Sequence, residues 1–300
     1  MTDISVLIVA KNDTDHLLQA IDSVVQWTTE VIIVDIGIRD DFLEKLKKTN
    51  VKIIPHNGNI MYADQIRDKI TLYTSSTYIL FLDPDEILPP ALQKYIQKNY
   101  KKYDAMAFSR KNIIFDKWMQ HARWWPDYQI RLYKKDKGNW NPSIHSKPNI
   151  KGVLHEIPAQ ETLAILHYNY NNLDHYFEKM IRYAKSEAAD YIQSNTHFTL
   201  TNALSKGMQE FVSRFFSAEG YKDGMHGFVL SFLQSVYYPF VYFYYWEGKK
   251  YLPVEQSEIT VSIQNYYKEL FLQTLYWISH KKLKPSISKI KYKIITFLSR

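Results

Sequence analysis

Three hundred residues, 46% of them hydrophobic, can hold one large α/β domain with ample core and a helical appendage. The absence of cysteine excludes a disulfide framework and thiolate ligation, so any metal must be held by oxygen or imidazole. The formal net charge of +7 is unevenly placed: Glu247 to Arg300 carries ten Lys or Arg against four Glu, which leaves the rest of the chain nearly neutral. Met1-Thr2-Asp3-Ile4 contains an acid and no basic leader, and the apolar run that follows is too short for a secretory h-region, so a cytoplasmic enzyme is expected.

In chain order, Ser5 to Ala10 reads as a strand, and Thr14 to Trp27 places Leu17, Leu18, Ile21, Val24 and Val25 at helical spacing. Glu30 to Val34 is a second strand, Phe42 to Lys48 a short helix and Val51 to Pro55 a third strand. Met61 to Tyr73 reads as a helix leading into the buried run Tyr78 to Leu82. This βαβαβαβ order with short connections predicts a doubly wound, mostly parallel sheet. Ligands bind such sheets at the carboxyl ends of the strands, so Lys11-Asn12-Asp13, Asp35-Ile36-Gly37 and Asp83-Pro84-Asp85 are expected to line one crevice.

Asp83-Pro84-Asp85-Glu86 carries the most chemistry. Two carboxylates one residue apart, just past a strand, can share a hard divalent cation that also holds a diphosphate. Asp85 is the first choice for the direct ligand of Mn²⁺ or Mg²⁺, with Asp83 on the ribose or bridging through water. Asp35 is expected to face the base or ribose, and Arg67 and Arg131 to reach a phosphate, with a salt bridge to Asp35 or Asp40 as the alternative for Arg67. No glycine occurs between Lys11 and His16, which argues against a dinucleotide-dependent oxidoreductase and against a sugar nucleotidyltransferase.

The order of these signatures resembles the inverting glycosyltransferases of family 2, which share the GT-A fold. Asn12, Asp35, Gly37, Asp40, Arg67, Asp83, Asp85 and Glu86 match that pattern, while Asp13 stands in for Glu, Ile38 and Arg39 for a small hydroxyl pair, and Asp68 for Asn. Gln129 to Lys135, Val153-Leu154-His155-Glu156, Leu166-His167-Tyr168 and Gly220 to Gly227 are similar to elements of the bacterial lipopolysaccharide-core glucosyltransferase subgroup. The resemblance spans about residues 3 to 245. It implies a nucleotide-diphosphate-sugar donor, with a UDP-sugar favoured, and His167 as a second metal ligand. It also implies Glu156 as the base that deprotonates the acceptor hydroxyl; Asp127, after Trp124-Trp125-Pro126, is the rival, and those tryptophans would either stack on a sugar or fill the core.

The expected division is a GT-A catalytic domain over 1–170 and a C-terminal helical region over 171–300. Phe228 to Trp246 is a run of nineteen uncharged, aromatic-rich residues, and His280 to Arg300 has seven basic residues and no acid. With Ile287, Ile290, Tyr292, Ile294 and Ile295 interleaved among those lysines, an anionic membrane surface is expected as partner, and nucleic acid is not. A peripheral place on the inner face of the cell membrane and a cell-envelope or lipid-linked glycan acceptor follow. A protein acceptor, a non-catalytic scaffold of the same fold and a homo-oligomer surface are the alternatives.

Overall fold

The computed structural model describes residues 1–11, 16–56, 58, 60, 66–140 and 147–281. Asn12, Asp13 and the basic stretch beyond Lys281 lie outside the described residues. The chain divides into two compact units, one built from Met1–Trp118 and Trp124–Asn171, the other from Met119–Arg123 and the residues from Asn172 on.

In the first unit β1 (Ile4–Ala10), α1 (Leu17–Asp22), β2 (Glu30–Asp35), α2 (Asp40–Leu46), β3 (Lys52–Pro55), α3 (Arg67–Ile70) and β4 (Tyr78–Phe81) follow the alternation expected from the sequence. After them come β5 (Glu86–Ile87), α4 (Pro90–Asn99), β6 (Ala105–Phe108), β7 (Arg110–Ile114), β8 (Lys117–Trp118), β9 (Gln129–Lys134), β10 (Gly138–Asn139), β11 (Asn149–Ile150), β12 (Leu154–Glu156) and β13 (Ile165–Tyr170). The main sheet has the order β12-β6-β9-β4-β1-β2-β3. The strands β3, β2, β1 and β4 are parallel neighbours; β9 pairs antiparallel with β4 and with β6, and β12 pairs parallel with β6. All strands but β9 therefore point the same way, so Asp35, the Asp83 turn and Glu156 end on one edge. β9 starts from that edge, two residues after Asp127.

All seven residues of β1 are buried, as a strand covered on both faces requires. Ile4, Val6 and Ile8 pack toward Leu17, Ile21, Leu92 and Ile96, whereas Leu7 and Val9 pack toward Ile66, Ile70, Tyr133 and Trp140. The helix expected over Thr14–Trp27 is regular only from Leu17 to Asp22. Beyond it, the Ser23 hydroxyl donates back to the Ala20 carbonyl at 2.7 Å and Thr28 to Val24 at 2.9 Å, side-chain bonds that compete with the helical ladder. Similarly, α3 ends at Ile70 and tightens into a 3₁₀ turn, with the Thr71 hydroxyl bonded to the Asp68 carbonyl at 2.6 Å. α4 opens on Pro90, where a missing N–H costs nothing, and buries Leu92 and Ile96. A smaller sheet of order β5-β13-β7-β8 adjoins the Asp83 turn.

The second unit holds α5 (Leu173–Gln193), α6 (Leu200–Phe211), α7 (Met225–Gly248) and α8 (Gln256–His280). Its Gly-rich turn is a packing device: a Cβ on Gly227 would meet the Gly220 carbonyl oxygen at 1.8 Å, so only glycine lets α7 start there. Asp223 accepts from the His121 backbone N–H at 2.9 Å, tying Met119–Arg123 into this unit. Phe228 to Trp246 lies within α7, burying Leu230, Leu233 and Val241 while Phe228, Phe232, Phe243 and Trp246 are exposed. Among the described residues no helix is long and apolar enough to cross a membrane.

Candidate active site

Asp35 ends β2 opposite Ala10 of β1. One of its carboxylate oxygens accepts from the Gly37 and Ile38 backbone N–H groups at 2.8 and 2.7 Å, closing a side-chain-capped turn. Gly37 sits at φ 125°, a conformation that L-residues avoid, which explains the Asp-x-Gly spacing.

At the end of β4, Asp83 is gripped from two sides. Arg67 donates to it at 2.8 Å and Arg131, from the antiparallel β9, binds its other oxygen. Arg131 also reaches Glu86 at 2.5 Å, and Arg110 approaches the same Glu86 oxygen at 3.5 Å. Arg110 in turn binds Asp127 at 2.5 Å. Three guanidiniums thus balance three carboxylates in a network whose centre, Glu86, has a fully buried side chain. Burial alone would raise the Asp83 pKa, but Arg131, Arg67 and Arg110 together hold it well below the usual carboxylate range. Burial likewise opposes ionisation of Asp127, and Arg110, Asn112 and Gln129 outweigh it, so its pKa is lowered too. Arg67 lies with its guanidinium carbon 4.5 Å from the Trp140 ring centre, an aromatic wall that holds the cation in place.

The small sheet brings Asp85 and His167 together. His167 on β13 is flanked in register by Glu86 on β5 and Asn112 on β7, so the three side chains share a face. The Asn112 amide nitrogen donates to the Trp124 carbonyl at 2.7 Å and faces Asp127 at 3.2 Å. That orientation presents its oxygen to His167 Nδ1 at 2.6 Å. An amide oxygen only accepts, so Nδ1 carries a proton and Nε2, which faces Asp85 Oδ2 at 3.7 Å, is the nitrogen that offers a lone pair when the imidazole is neutral. Two donors about 2.1 Å from one ion at right angles lie roughly 3 Å apart. A closing of about 0.7 Å between the two atoms would therefore let Asp85 and His167 share a cation, and the oxygen–imidazole pair suits Mn²⁺ or Mg²⁺ with diphosphate and water completing the shell. Among the described residues no three His, Asp or Glu gather into a ready-made cage.

Glu156 ends β12 on the same edge, opposite Ala107, and is exposed with no ion pair among the described residues. The side chain before it, His155, is fixed on the other side of the strand: its ring stacks on Tyr103 at 4.2 Å and its Nε2 meets the Tyr95 hydroxyl at 2.8 Å. Trp124 is buried edge-on to Tyr170, and Trp125 packs edge-on to Trp118 at 5.4 Å; Trp124 is thus core. Sequence reasoning missed Arg110 and Asn112. The signal available was their two-residue spacing, which puts both on one face of the strand Arg110-Lys111-Asn112-Ile113-Ile114.

Residues 5–151 match the family model described as glycosyl transferase family 2. A protein of Rickettsia typhi described as an uncharacterized glycosyltransferase is 24% identical over 249 residues, covering 78% of this chain and 83% of that one. A Rickettsia felis counterpart is 24% identical over 246 residues, covering 78% and 86%. Among solved structures the chain is similar to S. aureus TarS (TM-score 0.43, 13% identity, 81% of this chain and 54% of that chain), so it spans about half the length of that protein. It is also similar to TarS 1–349 in complex with UDP-GlcNAc (TM-score 0.43, 14% identity, 78% and 82%). A third likeness is to glucosyl-3-phosphoglycerate synthase from Mycobacterium tuberculosis with Mn²⁺, UDP and phosphoglyceric acid (TM-score 0.28, 20% identity, 36% and 43%). The strand order, the acids on one sheet edge and the family match agree: over residues 5–151 this chain carries a glycosyltransferase family 2 domain.

Proposed function

We propose that the protein is an inverting glycosyltransferase that moves a sugar from a nucleotide-diphosphate sugar, a UDP-sugar in the favoured case, to a cell-envelope or lipid-linked glycan. The observation that carries this reading is the pairing of Asp85 with a His167 whose tautomer Asn112 sets, beside the carboxyl ends of the parallel strands. Those two side chains would hold Mn²⁺ or Mg²⁺, which supplies positive charge for the diphosphate. Asp35 and Asp83 face the nucleoside, with Asn12 and Asp13 contributing from the β1 end. Arg67 and Arg131 serve the donor pocket by keeping Asp83 ionised and oriented.

Glu156 is assigned as the base. It takes the proton of the acceptor hydroxyl as that oxygen bonds to the sugar's anomeric carbon, and the bond to the diphosphate breaks on the opposite face. Asp127 is the weaker candidate because it is committed to Arg110 and Asn112 and its pKa is lowered, both of which make it a poor proton acceptor. The exposed Phe228, Phe232 and Phe243 of α7 and Tyr267 and Phe271 of α8, together with the basic sequence beyond Lys281, support a peripheral place on an anionic membrane face. The elements shared with lipopolysaccharide-core glucosyltransferases support the same class of acceptor.

The test is melting with UDP and Mn²⁺ against melting with NAD⁺, followed by turnover of UDP-, GDP- and dTDP-sugars. Stabilisation by UDP–Mn²⁺ alone is expected, and Glu156→Gln should keep that stabilisation while turnover falls by roughly 10² to 10⁴. No stabilisation by any nucleotide diphosphate would overturn the reading; near-normal turnover in Glu156→Gln would move the base elsewhere.

A further inference from the structure

We propose that a groove along α4 binds a phosphate group carried by the saccharide acceptor. The groove has a volume of about 450 Å³ and is lined by Ala91, Tyr95 and Leu163 together with Lys94, Lys98 and Lys102. Lys94 and Lys98 lie one turn apart on α4, Lys102 follows four residues later in the 3₁₀ turn after it, and all three line the same groove. Like charges at that spacing oppose helix formation, and no Asp or Glu occurs between Ile87 and Tyr103 to relieve them. Among the described residues none of the three pairs with a carboxylate; Lys102 donates only to the Asn99 side chain, at 2.9 Å. The nearby acids are already taken, Glu161 by Lys111 at 2.5 Å and Asp104 by Lys134 at 2.8 Å. A stripe that costs stability and lacks an internal partner fits an anion from outside, and ammonium groups on flexible stems suit the tetrahedral phosphate.

Two features place this groove on the acceptor side. α4 packs on the sheet face opposite α3, the helix that carries Arg67 to the donor end. Tyr95, which lines the groove, is bonded at 2.8 Å to His155, the neighbour of Glu156. An occupant touching Tyr95 therefore lies against the side chain that holds the strand of the assigned base. Tyr95 and Leu163 offer apolar contact for the C–H face of a sugar, while the lysines take its phosphate. The acceptor assignment rests on the proposed transferase function; the anion site does not.

The experiment compares glucose 6-phosphate with glucose, titrated by ¹⁵N NMR into the full chain with and without UDP, for the wild type and for Lys94→Gln/Lys98→Gln/Lys102→Gln. Gln keeps the helix, and the melting curve checks it. Glucose 6-phosphate should bind, weaken with salt, and lose tenfold or more in the variant, while glucose does not bind and UDP–Mn²⁺ affinity stays within twofold. Equal binding of the two sugars, or equal binding by the variant, overturns the site. So does a variant that loses only its adsorption to phosphatidylglycerol vesicles, because the stripe is then a lipid-headgroup surface. Failure of UDP to bind, with the lysine-dependent glucose 6-phosphate response intact, strikes the transferase reading and leaves the anion site standing.

Discussion

Arg131→Met tests whether the ion network beneath the candidate site is as dry as its geometry implies. Arg131 is 3% exposed and holds Asp83 and Glu86 at once. Without it, Asp83 keeps Arg67 at 2.8 Å, but the fully buried Glu86 is left with Arg110 at 3.5 Å as its nearest cation. Removing one partner of a buried pair costs about 3–5 kcal/mol because the other charge is stranded, and the surviving Arg110 places the expectation at the lower end. For a unit of this size each kcal/mol moves the midpoint by roughly 2–4 °C, so a drop of about 6–12 °C is expected. Glu86→Gln removes the stranded charge, and the double variant should recover about half of the loss, a coupling that thermal melts on the four proteins would measure. A single variant melting within 2 °C of wild type, or losses that simply add in the double variant, would refute the argument.

Asp85→Ala should lower UDP–Mn²⁺ affinity by roughly a hundredfold, about 2.7 kcal/mol, with the melting point of the ligand-free protein nearly unchanged; calorimetry decides. Asp83 and Asp127 both have depressed folded-state pKa values, so their stabilisation is complete above the ordinary carboxylate pKa and is lost as pH falls through the folded values. The midpoint should therefore hold from neutral pH to about 5 and fall below about 4, with a shallower fall in Asp127→Asn. Gly227→Ala drives a methyl into the Gly220 carbonyl and should destabilise the helical unit by about 2 kcal/mol or more, visible as an earlier helical transition by circular dichroism.

The strands that end in acids were legible because each is a short apolar run followed by polar residues, and Ile4–Ala10, Glu30–Asp35 and Tyr78–Phe81 form where that pattern stands. What holds those acids was not legible. The antiparallel insertion of β9 leaves no local mark, since Gln129–Lys134 reads the same in either direction, yet it is what delivers Arg131 to Asp83. Asn112 is a single polar residue whose role depends on β13 lying alongside β7, a pairing across 55 positions. Helix ends were overestimated where Ser23 and Thr71 hydroxyls bond back to the backbone, a competition that spacing of apolar residues does not register.

The place of β9 also sets an order of assembly. The strands β3, β2, β1 and β4 all lie within the first eighty or so residues, so their parallel pairings can form before β9 exists. Until Gln129–Lys134 arrives, β4 is an open edge and Asp83 and Glu86 have no Arg131, so a chain emerging from the ribosome carries a half-sheet whose rim acids have only Arg67 and the more distant Arg110 to balance them. Closure of that edge and completion of the ion network are one event, delayed until β9, more than fifty residues further along the chain, pairs with β4. Fragments ending before residue 129 should consequently aggregate through β4, and the donor pocket should be the last part of the first unit to mature.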